Sequence, residues 1–193
     1  MKHFRDPLVI LQAVMVGGIA MGAASAVAAD ADCKAIADAL GKQMRTPTHA
    51  WVTRTSEAEG ETTSEAIFAD GVQYVQQYNA WWRGATLKDI VAREKTIAAN
   101  VTSRCERLPD ETVGDVQAQL FRREDRSKAD PDGAALSVLK IWISAKRGLP
   151  LREEFTFSDG DAVRSRIVKR FEYNKVRAPT GARTSPMSTK ARR

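Results

Sequence analysis

The stretch KIWISAKRGLPLREEFTFSDG, residues 140–160, decides the fold class. Leu139, Ile141 and Ile143 alternate with Lys140, Trp142 and Ser144, and a period of two marks a strand with unlike faces. After Gly148-Leu149-Pro150 the apolar pattern resumes with Leu151, Phe155 and Phe157, and it stops at Asp159-Gly160. Glycine tolerates a positive φ and proline fixes a negative one, so the Gly-Leu-Pro step reads as the turn of a hairpin. Glu153 and Glu154 are neighbours on the second strand and point to opposite faces, which excludes a working carboxylate pair. Lys140, Arg152 and Glu154 read as solvated. Ile141, Ile143, Phe155 and Phe157 then face either the protein's own helices or a bound apolar molecule.

The rest of the chain continues in the same style. Before the hairpin, strands are expected near 50–57, 62–69, 72–78, 101–107 and 114–124, with the hairpin itself over 135–146 and 150–158. A last strand over 162–176 alternates Val163, Ile167, Phe171 and Tyr173 with a basic, solvated outer face. Asp70-Gly71 between two such runs is a hairpin signal. Two segments change period. Residues 32–45 carry Cys33, Ile36, Ala37, Leu40 and Met44 on one helical stripe, and 86–99 carry Leu87, Ile90, Val91, Ile97 and Ala98. Thr86 with Asp89 resembles a capping box. Segregated helices and consecutive strands predict an α+β fold with a largely antiparallel sheet of about eight or more strands, which has to curl or be covered.

The chain ends read differently. Residues 1–29 have a positive start at Lys2 and Arg5, an apolar run over Leu8–Ala24 and small residues at Ala26–Ala29, the pattern of a secretory signal cleaved near Ala28 or Ala29. Residues 179–193 are small, polar and basic and predict a disordered tail, which leaves residues 30–178 as one domain. The formal net charge is +6. Arg183, Lys190, Arg192 and Arg193 in the tail account for most of it, so the central domain is nearly neutral and no nucleic-acid partner is expected. Two cysteines, Cys33 and Cys105, in an exported chain predict one disulfide.

Catalytic arrangements are absent from the sequence. His49 is the one histidine outside the expected signal, which excludes a multi-histidine zinc site. It reads as a surface residue of a helix-to-strand connection. No G-x-S-x-G or glycine-rich phosphate loop occurs, and neither an enzyme nor a cofactor is expected.

Three segments are similar to the exported half-barrel proteins related to the periplasmic lipoprotein carrier LolA: DGVQYVQQYNAWWRGATLKDI (70–90), CERLPDETVGDVQAQLFRRE (105–124) and IWISAKRGLPLREEFTF (141–157). The resemblance implies an open half-barrel, a curved sheet covered on its concave face by two helices. It further implies a non-enzymatic periplasmic or secreted binder or carrier of a lipid or an acylated protein, expected as a monomer. The aromatic and aliphatic residues expected to line such a site are Trp51, Phe68, Tyr74, Trp82, Leu120, Ile141, Ile143, Phe155, Phe157, Ile167 and Phe171. The alternative is an interaction module with a self-filled core that binds an envelope protein or a membrane surface.

Overall fold

A computed structural model describes residues 21–131, 136–159 and 162–184. In chain order they form α1 (Met21–Gln43), β1 (Thr48–Ser56), β2 (Gly60–Ala69), β3 (Val72–Gln77), β4 (Ala80–Thr86), α2 (Leu87–Asn100), β5 (Val101–Val113), β6 (Val116–Ser127), β7 (Ser137–Ser144), β8 (Pro150–Asp159), β9 (Ala162–Glu172) and β10 (Arg183–Thr184). All ten strands belong to one sheet, ordered β10-β4-β3-β2-β1-β9-β8-β7-β6-β5. Two meanders, β1–β4 and β5–β9, are joined by the antiparallel β1–β9 pair. Only β10, on β4, is parallel.

This topology forces the sheet to curl. Strands β4 and β5 lie eight positions apart in the order, about 38 Å on a flat sheet at the usual strand spacing. Yet α2 joins them with no loop residues, and a helix of that length reaches only about 21 Å. The two ends of the sheet must therefore bend toward one another, with α2 as the chord. The edges do not meet, so the result is an open, curved α+β half-barrel with its helices on the concave side, as expected, and its ten strands fit the expected eight or more.

The helices are held unequally. On α1, Ile36 and Ala39 are buried against Phe121, Leu139, Ile141 and Ile143, and Cys33 forms the expected disulfide with Cys105 of β5. Ala39, not the expected Ala37, carries the inward stripe; Ala37 is exposed. The helix also begins upstream of residue 32, since the alanine-rich segment before it has high helix propensity. On α2 the Thr86–Asp89 capping box is complete: Asp89 N–H donates to Thr86 Oγ1 at 3.3 Å, and Thr86 N–H donates to Asp89 Oδ2 at 3.0 Å. No α2 residue is buried. Leu87, Ile90 and Val91 are half-covered, and Ile97 is 47% exposed.

Turn chemistry accounts for most of the remaining differences. Asp70 and Gly71 take positive φ and close the β2–β3 hairpin as read. Tyr78 and Asn79 also take positive φ, which makes a second such turn and the unforeseen strand β4. In the 140–160 hairpin, β7 stops at Ser144 and the connection starts at Ala145, so the turn is longer than Gly-Leu-Pro. Gly148 N–H donates to the Ser144 carbonyl at 2.8 Å, Ser144 N–H donates to the Leu149 carbonyl at 2.9 Å, and Leu149 is buried. Strand β9 ends at Glu172, short of 176; the two-residue β10 falls inside the 179–193 segment read as a tail.

Candidate functional site

Residues opposite one another on antiparallel strands share a face, so rows can be read straight across the sheet. One row on the α1 side runs Thr62–Arg54–Ile167–Phe155–Leu139–Arg123–Cys105. The next runs Ser64–Val52–Lys169–Glu153–Ile141–Phe121–Arg107. A third joins Trp82, Val75, Ala66, Ala50 and Phe171. These rows form the concave face.

That face has two halves. Under α1, over β5–β8, it is filled by the protein's own side chains: Ile141 is 0% exposed and Ile143 4%. Over β9, β1, β2, β3 and β4 it is apolar but only partly covered. Phe68, Val52, Val75, Trp82, Ile167 and Phe171 are half-buried, and Phe157 is 37% exposed. Phe155 and Phe157 stack at 6.1 Å and mark the boundary between the halves. The indole Nε1 of Trp82 is buried without a hydrogen-bond partner among the described residues. Helix α2, which runs from β4 to β5, leaves its apolar stripe only half-covered.

Polar groups are set into this floor. Glu153, 3% exposed, accepts from Lys169 Nζ at 3.1 Å, and that ammonium lies 4.7 Å from the centre of the Phe155 ring. A buried carboxylate needs such a partner. The Tyr173 hydroxyl donates to the Pro150 carbonyl, and burial, helped by the negative charge of Glu153, pushes its pKa up.

The outer face is chemically different. Its rows are Thr63–Thr53–Val168–Glu154–Lys140–Arg122–Glu106 and Glu65–Trp51–Arg170–Arg152–Trp142–Leu120–Leu108. Burial alone would raise the Glu154 carboxyl, but Arg166, Arg152 and Lys140 together hold it below the ordinary range. Burial opposes the charge on Glu124 in the same way, and Arg122 and Arg126 outweigh it. Glu154 is thus ion-paired rather than merely solvated. Trp142 donates to Glu111 at 2.7 Å beneath the guanidinium of Arg152.

The predicted lining residues divide accordingly. Phe68, Trp82, Ile167 and Phe171 share the partly covered half of the concave face, with Phe155 and Phe157 at its boundary. Ile141 and Ile143 are on that face but sealed under α1. Trp51, Tyr74 and Leu120 fall on the outer face, a correction that follows from strand register, because one residue of offset reverses a side chain. Val52 and Val75 join the lining and were missed, although their alternation was visible. His49 lies within β1, not in a connection; its Nε2 is 2.8 Å from Glu65 Oε2, and its ring lies 4.2 Å from that of Trp51.

No family model matches the chain. No curated protein matches it either. Solved structures similar to it include the Mycobacterium tuberculosis lipoprotein LppX, 10% identical over 77% of this chain and 97% of that one, with a TM-score of 0.49. The MucA/MucB complex of Pseudomonas aeruginosa gives 14% identity over 78% of this chain, with a TM-score of 0.46. This chain spans 59% of the matched chain there. A LolA-superfamily protein from Nitrosomonas europaea gives 8% identity over 70% and 90% of the two chains, with a TM-score of 0.27. At such scores and identities nothing of their ligands or partners transfers to this chain.

Among the described residues no group of three or more His, Cys, Asp and Glu side chains is placed to hold a metal ion. No helix there is long and apolar enough to cross a membrane.

Proposed function

We propose that the protein is a non-enzymatic binder or carrier of a hydrophobic ligand, a lipid or the acyl chain of a lipoprotein. In this reading it is exported after cleavage near Ala28 or Ala29, and residues 30–178 act as a monomer in the periplasm or outside the cell. The supporting observation is the half-covered apolar strip on the concave face, from Trp82 through Phe68 and Phe171 to Phe157. Its mechanism is burial without chemistry. Each methylene moved from water onto that strip contributes about 0.8 kcal/mol, and the loosely seated α2 is the element able to shift and admit a chain. A protein secreted by bacteria should carry a co-purified lipid in native mass spectrometry. Phe157→Glu, at an exposed lining position, should lose that mass while remaining folded by circular dichroism. A wild-type protein free of lipid after gentle purification would count against the proposal.

One observation favours the alternative of an interaction module for an envelope protein or a membrane surface. The half of the concave face under α1 is already filled by Ile36, Phe121, Leu139 and Ile141. If α2 settles onto the other half in the same way, the core is complete without ligand and the secreted protein carries no lipid.

A further inference from the structure

The partly covered half of the concave face is not uniformly apolar. Arg54 projects onto it from β1, in the row that places it between Thr62 and Ile167. It is exposed and has no ion-pair or hydrogen-bond partner among the described residues. Diagonal to it across the β1–β9 pair is Lys169, which faces Val52 in the neighbouring row. Lys169 gives one donor to Glu153, and an ammonium has three. Thr62, Ser64 and Ser165 add hydroxyls on the same face. The floor therefore holds two cations and one buried carboxylate, with aromatic and aliphatic side chains on either side.

A binder of purely apolar molecules has no use for an unpaired guanidinium on its inner face, because that group must lose water when the groove fills. A ligand anion placed on it would compensate, and an arginine fork suits a carboxylate or a phosphate ester. We propose that the groove takes an anionic amphiphile with a single head, the carboxylate or phosphate seated on Arg54 beside Lys169 and the chain lying in the apolar strip that runs from Phe157 through Phe171 and Phe68 to Trp82. This rests on the concave-face reading given above and adds the head-group class and its polarity.

Three probes with the same sixteen-carbon chain test it below their critical micelle concentrations: palmitate, a palmitoyl lysophosphatidylglycerol and neutral monopalmitoylglycerol. Palmitate, the lysophospholipid or both should bind on the order of tenfold tighter than the neutral probe, as a charge-assisted hydrogen bond implies. Preference for palmitate alone points to free fatty acids as the source, and preference for the lysophospholipid alone to phospholipid. Arg54→Gln should remove the preference and leave the neutral probe's affinity within about twofold, and Arg54→Lys should restore part of it. Equal binding of all three probes, or a preference that survives Arg54→Gln, would overturn the head-group assignment and leave the groove intact. Binding of none of them would overturn the groove itself.

Discussion

Removing the disulfide should lower the stability of the protein by about 4 kcal/mol on the chain-entropy estimate for a loop of this size. Cys33 and Cys105 are 72 residues apart in sequence, and the bond ties α1 to the edge strand β5. Apart from it, α1 is held chiefly by Ile36, Ala39 and Leu40, by the bond from Lys42 to the Arg147 carbonyl at 2.6 Å, and by Asp32, which accepts from Arg107 N–H at 2.9 Å. Cys33→Ala with Cys105→Ala removes the cross-link with little change in buried volume. Urea unfolding should show a clearly lower midpoint than the oxidised wild type, and hydrogen exchange should speed up first in α1. An unchanged midpoint would mean that α1 is held by packing alone.

The second large effect is expected at Ile141. It is fully buried, in contact with α1 from the centre of β7 and flanked across the ladder by Phe121 and Glu153. Ile141→Ala leaves a cavity in a filled core and should cost about 2–5 kcal/mol, read as a fall in denaturation midpoint. Phe157→Ala is the informative contrast. At 37% exposure it packs on one side only, so it should cost well under the core value while weakening ligand binding. Ile141→Ala should do the reverse, binding nearly normally wherever it remains folded. If both variants lost stability equally, Phe157 would belong to a sealed core and the groove would be closed.

Strand positions and the helix-on-sheet layering were legible in the sequence because they follow from local periodicity and turn chemistry. Asp70-Gly71 and the Thr86–Asp89 cap are examples. Strand β4 was not, because Tyr78-Asn79 is an unusual pair for two consecutive positive φ values, although the β-prone Trp81-Trp82 pair after it was a usable signal. The curl of the sheet was expected from the strand count and the resemblance, and the topology gives its physical reason: a helix that joins distant strands without a loop has to span a bent sheet. The lining was harder still. Which side of a strand faces inward depends on register over several strands, and that misplaced Trp51, Tyr74 and Leu120. Arg54 and Lys169 carry no signal of their own in the sequence, because nothing local distinguishes an inward cation from an outward one. The burial of Glu153 has the same origin, since its partner Lys169 lies on the next strand.

Tryptophan placement supplies the most direct test of the central claim that the concave face is where ligand binds. Trp82 lies on that face, whereas Trp51, Trp81 and Trp142 lie on the outer one. An acyl chain carrying bromine atoms quenches only indoles it touches. Titrated into the wild type, it should quench part of the tryptophan emission; titrated into Trp82→Phe, which remains folded, it should bind but quench almost nothing. Equal quenching of the two proteins would put the ligand on the outer face and contradict the account.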